Sequence, residues 1–153
     1  MQDFKNFPNF SKFAGKNLMA IDYGEKVIGL ASFTPGREPF PLGRGRIINE
    51  GFEKFISQLT EIIEEDFVEV IIFGVPYLTD GTETDKSREM INKMNKLSEV
   101  FTDIEFHQQD ETLTTEAAKE RMLNSAQYNF QIDPKKIDEV SAIIILEDFI
   151  SKT

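Results

Sequence analysis

The chain has 153 residues, no cysteine, 40% hydrophobic content and a formal charge of −10. That length and apolar fraction suit one globular domain with a full core, and the missing thiols exclude a disulfide scaffold or a thiolate metal site. No apolar run reaches the roughly 18 residues of a membrane span and no hydrophobic signal-peptide core opens the chain, so the expectation is a cytoplasmic protein with no membrane partner.

The charge argues at face value against a polyanionic partner, because binding phosphate normally wants a basic surface. Its distribution weakens that objection. Residues 50–85 hold ten acids against Lys54, a net −9, whereas the rest of the chain carries 17 acids and 16 bases, a net −1. The acidity belongs to one helix and its flanks, a solvated face that can point away from a nucleic acid.

Residues 1–16 carry Phe4, Phe7, Phe10 and Phe13 at three-residue spacing, interrupted by Pro8. That spacing drifts around a helix and Pro8 would sit badly in its interior, so the segment reads as an N-terminal arm, ordered only if its rings find a groove. The domain proper is 17–153. Residues 17–23 and 26–33 read as the strands of a hairpin: an apolar run ends in Asp22, Gly24 reverses the chain, and Gly29 permits a close backbone approach. A Pro/Gly loop over 34–46, with Arg37, Arg44 and Arg46 interleaved among its glycines, leads to a short third strand near 46–48.

Phe52, Phe55, Ile56, Leu59, Ile62 and Ile63 then share one stripe of a helix running to about residue 65. Val68–Gly74 has the β-branched pattern of a buried strand, followed by turn chemistry at Pro76 and Asp80-Gly81. A helix over 84–100 buries Met90, Ile91, Met94 and Leu97, and Ile104–Asp110 reads as the last strand. Thr114 or Thr115 can cap a helix to about 124, and Asp133-Pro134 is placed to open a final helix ending near Ile150. This is an α/β order. The strand-helix-strand unit makes strands 68–74 and 104–110 parallel, and ligands of such sheets collect beyond the carboxyl ends of the strands. Asp110-Glu111 and the 75–83 loop belong at that rim.

Four segments in order resemble the YqgF/RuvX family: Asp22-Tyr-Gly24 with Lys26 and Ile28-Gly29-Leu-Ala; Gly74-Val-Pro76 running to Asp80-Gly-Thr-Glu83; Asp110-Glu111-Thr112-Leu113-Thr114-Thr115; and Ile137-Asp138 with Ala142 and Ile145-Leu146. These are bacterial RNase H-like proteins named as pre-16S rRNA nucleases and Holliday junction resolvases, and the resemblance spans residues 17–150. It implies an RNase H-like five-stranded mixed sheet, three antiparallel strands first and then parallel ones, flanked by helices. It also implies a catalytic, metal-binding carboxylate set of Asp22, Glu111 and Asp138, with Asp110 as a structural or alternate ligand. The implied substrate is precursor rRNA or branched DNA, bound by a monomer or a homodimer.

Phosphodiester hydrolysis needs a water made nucleophilic near neutral pH and a stabiliser for charge on the phosphate, which two Mg²⁺ or Mn²⁺ ions held by carboxylates supply. Clustered carboxylates without metal repel, so at least one should have a raised pKa. Lys26, Arg37, Arg44, Arg46 and Arg88 are the candidate phosphate contacts, with Thr114 and Thr115 as hydroxyl donors; each has the alternative of a solvated or capping role. His107 stands alone in a strand and reads as a packing residue. The chain departs from the family pattern at Val27, where an Arg is usual, at Thr112, again in place of Arg, and before the last helix, where the basic loop is reduced to Lys135 and Lys136. The carboxylates are kept while neighbouring cations fade, so a catalytically weak or inactive module that binds nucleic acid or an assembly partner stands as the alternative. A nucleotide-binding phosphotransfer domain is disfavoured, since no Gly-rich phosphate loop is present.

Overall fold

In a computed structural model describing residues 4–152, five strands form one sheet: β1 (Leu18–Tyr23), β2 (Val27–Phe33), β3 (Leu42–Ile48), β4 (Val70–Val75) and β5 (Glu105–Asp110), in spatial order β3-β2-β1-β4-β5. Residues 1–3 of the N-terminal arm and Thr153 lie outside the described residues. The pairs β1/β2 and β2/β3 are antiparallel, while β1/β4 and β4/β5 are parallel, which is the expected mixed sheet. Every side chain of β4 is buried, as is every side chain of β1 but Asp22; both strands are covered on two faces, hence their unbroken apolar runs.

Helices α2 (Phe52–Asp66) and α3 (Asp85–Val100) cover one face, where Phe55, Leu59, Met90 and Leu97 pack on Met19, Ile21, Leu30 and Phe73. On the other face lies α5 (Ile137–Ile150), whose Ala142, Ile145, Leu146 and Phe149 pack on Leu18, Ala20, Ala31 and Ile72. Outside it sits α4 (Thr114–Leu123), joined through Ala118 and Met122 to Val140 and Ile144. Helix α5 is thus sandwiched between sheet and helix, and its sequence is apolar nearly all round for that reason. Because side chains alternate along a strand, Leu18, Ala20 and Asp22 all point toward α5. No helix of the described residues is long and apolar enough to cross a membrane.

Four expectations are corrected. Strand β3 begins at Leu42 rather than near 46, so Arg44 and Arg46 belong to an edge strand and not to a loop. Its Gly/Arg sequence has no apolar period, and the ladder is kept by the β2 backbone, with a bulge opposite Leu30/Ala31. Helix α4 takes Leu113 as its N-cap residue, so neither Thr114 nor Thr115 caps it. Helix α5 starts at Ile137; Asp133 instead closes a preceding turn, accepting from the Lys135 N–H at 2.9 Å through Oδ1 and from the Lys136 N–H at 3.0 Å through its carbonyl. In the arm, Phe4–Asn6 form a 3₁₀ turn and Pro8–Lys12 a short helix, α1, with Pro8 at its first position, where the missing N–H costs nothing.

The groove the arm needs is present. Phe4 and Phe13 are buried; the Phe13 ring lies 5.4 Å from that of Phe149, Phe4 lies 6.0 Å from Phe33, and Asn9 Nδ2 donates to the Phe149 carbonyl at 2.7 Å. The edge-on ring of His107, 5.6 Å from Phe13, belongs to the same contact and gives this histidine its packing role.

Candidate active site

Asp22 is the last residue of β1 on the α5 face, at the carboxyl end of a parallel strand and level with Gly29 of β2. Glu111 immediately follows β5; its N–H continues the ladder by donating to the Val75 carbonyl at 3.0 Å, which turns its side chain to the same face. The two carboxyl groups meet in a hydrogen bond. Asp138, in the first turn of α5, acts electrostatically on Asp22 from the other side.

Two glycines make this approach possible. A Cβ on Gly29 would stand 2.0 Å from the Asp138 carbonyl oxygen, so the first turn of α5 rests directly on the bare backbone beside Asp22. A Cβ on Gly74 of β4 would stand 3.0 Å from Glu111 Oε2 and 2.7 Å from Ile145 Cδ1. The Glu111 carboxylate therefore lies over Gly74, in space that any side chain would fill.

Burial sets the electrostatics, and neighbouring like charges add to it. Burial, then the Asp22 charge, pushes Glu111 up to about 9. Burial also raises Asp22, and the hydrogen bond from Glu111 opposes the rise. At neutral pH Glu111 consequently carries the proton and donates it to the Asp22 carboxylate. Asp138 is raised by burial as well, with Arg46 pulling it down. Arg46 faces Gly29 across the β2/β3 ladder, so the edge strand brings one guanidinium to the site. All the donors are carboxylate oxygens, which could hold a hard divalent cation. Among the described residues, no three His, Asp or Glu side chains are yet gathered tightly enough to enclose an ion.

The other candidates separate by position. Asp110 is exposed, and its Oδ1 accepts from the Thr112 N–H at 2.8 Å and from the Thr112 hydroxyl, so its carboxylate shapes the turn. Lys26 is exposed in the β1–β2 turn at the same rim, and Thr115 is exposed in the first turn of α4, whereas Thr114 is buried. Arg88 lies in the first turn of α3 with Asp85 and Glu83 as partners. Arg44 is bound at Nε to Asp66 at 2.6 Å and reaches Glu65 at 3.5 Å, on the far side of the sheet from α5. Arg37 follows β2 at the opposite end of the sheet from Asp22. One contributor escaped the sequence reading: Thr112, whose hydroxyl lies 3.1 Å from the Tyr77 carbonyl and 3.3 Å from the Tyr77 nitrogen, ties the segment carrying Glu111 to the loop leaving β4. Its position in the Asp-Glu-Thr-Leu-Thr-Thr run was visible, but its partner lies 35 residues away in the chain.

Comparison with known proteins follows the same outline. The RuvX family profile, described as Holliday junction resolvase, matches residues 16–152. A "Putative pre-16S rRNA nuclease" from Thermus thermophilus is 30% identical over 135 residues, covering 87% of this chain and 96% of the relative. One of the same name from Desulforamulus reducens is 32% identical over 133 residues, covering 87% and 95%. Among solved structures, T. thermophilus RuvC in complex with Holliday junction substrate matches with a TM-score of 0.55 at 10% identity, covering 88% of this chain and 94% of its own. The yeast mitochondrial Holliday junction resolvase Ydc2 matches with a TM-score of 0.54 at 11% identity, covering 93% and 81%. At such identities these two likenesses speak for the fold alone, which is the RNase H-like arrangement of the resolvases.

Proposed function

Since the chain belongs to the RuvX family, we propose that it is an endonuclease, dependent on divalent cations, that hydrolyses phosphodiester bonds in structured nucleic acid. Its substrate on this reading is precursor 16S rRNA, as in the names of its relatives, or a branched DNA such as the junction held by the RuvC neighbour. The observation that carries the proposal is the Asp22–Glu111 carboxyl contact, with Asp138 beside it, at the carboxyl ends of parallel strands. Two half-buried acids held together around a proton are costly to the fold, and a site that exchanges that proton for a cation accounts for them.

The residues fit such an ion: the donors are oxygen only, and the bare backbone of Gly74 leaves room for the Glu111 carboxylate to lie over it. Asp22, Glu111 and Asp138 would hold Mg²⁺ or Mn²⁺, two ions in this reaction class, which when bound activate a water and neutralise charge on the phosphate. The chain's own part is to position and to switch charge. Asp22, which both Glu111 and Asp138 influence, would be the central ligand. Glu111 would have to release its proton to act as a ligand, and the bare backbones of Gly29 and Gly74 let the three acids approach on one face. Arg46, already within electrostatic reach of Asp138, is the guanidinium placed to meet a phosphate, with Lys26 and the Thr115 hydroxyl at the same rim.

The test is cleavage of a precursor 16S rRNA 5′-leader stem and of a four-way DNA junction, with Mg²⁺ or Mn²⁺ and with chelator. Cation-dependent cleavage that disappears in Asp22→Asn is expected. Equal cleavage by Asp22→Asn would reject this site, and no cleavage of either substrate by the unaltered chain would favour the non-catalytic binding module.

A further inference from the structure

Strand β3 exchanges its faces part-way along, and the exchange decides which side of the sheet Arg46 serves. Gly43 lies against α5: a Cβ there would stand 2.3 Å from Glu139 Cδ. Residues two apart share a face of a strand, so strict alternation would set Gly45 beside Gly43 and turn Arg44 and Arg46 together to the α2 side. The observed register is different. Gly43 pairs with Ala31 and Gly45 with Leu30, which leaves Arg44 as an extra residue with no partner on β2. Beyond this bulge each side chain takes the face opposite to the one an unbroken strand would give it. Arg44 itself turns to Asp66 of α2, Ile47 joins the apolar cluster beneath that helix, and Arg46 comes level with Gly29, on which the Asp138 backbone rests.

One side chain fixes the bulge from the α5 side. Gly45 has φ +90°, and its N–H donates to Glu139 Oε2 at 2.6 Å. The same carboxylate is seated over Gly43, in space that a Cβ would fill. A bulge disrupts the ladder locally, and a charged acceptor on a backbone N–H at that point holds the strand in its shifted register. Glu139 directly follows Asp138 in the first turn of α5. A single helical turn therefore carries both an acid of the site and the brace of the edge strand. Arg46, one residue past the braced N–H, is within electrostatic reach of that acid.

We propose that Glu139 is a positioning residue for substrate binding: by clasping Gly45 over Gly43 it locks the bulge at Arg44 and so keeps the Arg46 guanidinium on the carboxylate face. The proposal rests on the nuclease reading of the site, in which Arg46 meets a phosphate. Glu139 itself touches neither substrate nor cation. The expected effect is opposite in sign to that of charge alone. An acid beside a polyanion repels it, so removing the Glu139 charge would by itself tighten nucleic-acid binding. A residue that acts through Arg46 must weaken binding when it is deleted.

The test measures binding of a four-way DNA junction and of a precursor rRNA leader stem over a range of salt, in an Asp22→Asn background to stop turnover. Glu139→Ala should weaken binding several-fold and lower the slope of log affinity against log salt by about one, the mark of one lost phosphate contact. Gly43→Ala, which keeps the carboxylate but pushes it off its seat, should do the same, and it serves where Glu139→Ala does not fold. Glu139→Gln keeps an acceptor oxygen and should bind at least as tightly as the Asp22→Asn protein. With Arg46→Ala already present, Glu139→Ala should weaken binding no further. Unchanged or tighter binding in both Glu139→Ala and Gly43→Ala, or an equal loss with and without Arg46, would overturn the proposal and leave the nuclease reading standing. Failure of the unaltered chain to bind or cut either nucleic acid would remove both.

Discussion

Replacing each of the two site glycines by alanine separates the fold from the chemistry. In Gly29→Ala the new Cβ falls 2.0 Å from a backbone oxygen of α5, and real Cβ contacts essentially never go below 3.0 Å, so the helix must retreat by at least 1 Å. A backbone cannot rotate away as a side chain can. Helix α5 also buries eight residues, among them Ala142, Ile145 and Leu146. The cost belongs at or above the upper end of the range for overpacking, about 3 kcal/mol, and a domain of this size should lose roughly 6–12 °C in melting temperature. In Gly74→Ala the nearest atoms are Ile145 Cδ1 at 2.7 Å, which can turn aside, and the Glu111 carboxyl at 3.0 Å. Its stability cost should stay near 1 kcal/mol or less, because alanine in a strand recovers part of the loss through the unfolded chain. Glu111 is displaced, however, so divalent-cation affinity and cleavage should fall at least tenfold. Thermal melts by circular dichroism, Mn²⁺ titration calorimetry and a single-turnover cleavage assay read the three quantities. A Gly74→Ala protein that melts low yet binds Mn²⁺ normally, or a Gly29→Ala protein that melts as the parent does, would refute the claim that these clearances build the site.

The remaining expectations rest on charge. Asp22→Asn should abolish cleavage and raise the melting temperature of the cation-free protein, because a neutral amide replaces a desolvated charge that also faces Asp138. Glu111 is pushed up to about 9 in the fold, from 4.5 in a free chain, so the folded state keeps a proton the unfolded state loses. Stability from this group is full below pH 4.5 and is lost as pH rises toward 9, by up to about 1.4 kcal/mol per pH unit. Urea melts between pH 5 and 9 should show this decline without cations, and Mg²⁺ or Mn²⁺ should offset it increasingly as pH rises; a pH-independent apo midpoint would count against the shared proton. Arg46→Ala should weaken nucleic-acid binding several-fold at unchanged stability. Arg44→Ala should leave binding alone and cost about 0–1 kcal/mol through its half-exposed pair with Asp66, as paired denaturation and filter-binding measurements would show.

Much of the fold was legible because its segments obey one period each. The buried strands read as unbroken apolar runs, and α2 and α3 as stripes, since each has one or two covered faces along its whole length. Asp22 stood out because a polar residue closing an apolar strand marks a rim, whereas Glu111 follows a polar strand and stood out through its place at the strand end and in the run that resembles the family's. What stayed hidden was tertiary. β3 is a Gly/Arg edge strand whose ladder belongs to β2, and Pro8 looks like a breaker until the chain is seen to begin α1 there. The role of Gly74 is a clearance between Glu111 and Ile145, residues 37 and 71 positions further on. The cations were least legible of all. Arg44 finds its carboxylate 22 residues away on α2, Arg88 is held by acids of its own helix and the preceding loop, and Arg37 goes to the other end of the sheet. Sequence alone put Arg37 and Arg44 level with Arg46 as one basic patch and Arg88 below them.

A chain of charge −10 meets a polyanion more readily where its negative charge is elsewhere or neutralised, and α2 and the carboxylate site meet one condition each. Helix α2, with the acids of residues 53–66, packs on the sheet face opposite α5, so the sheet itself stands between that charge and the site. At the rim, Glu111 is protonated and Arg46 stands beside Asp138, leaving much less than three uncompensated charges. Cation loading would reverse the local sign, since divalent ions outweigh the single proton released. On the proposed reading phosphate attraction comes more from the loaded site than from a basic surface, so Val27 and Thr112 in place of arginine are compatible with a nucleic-acid substrate.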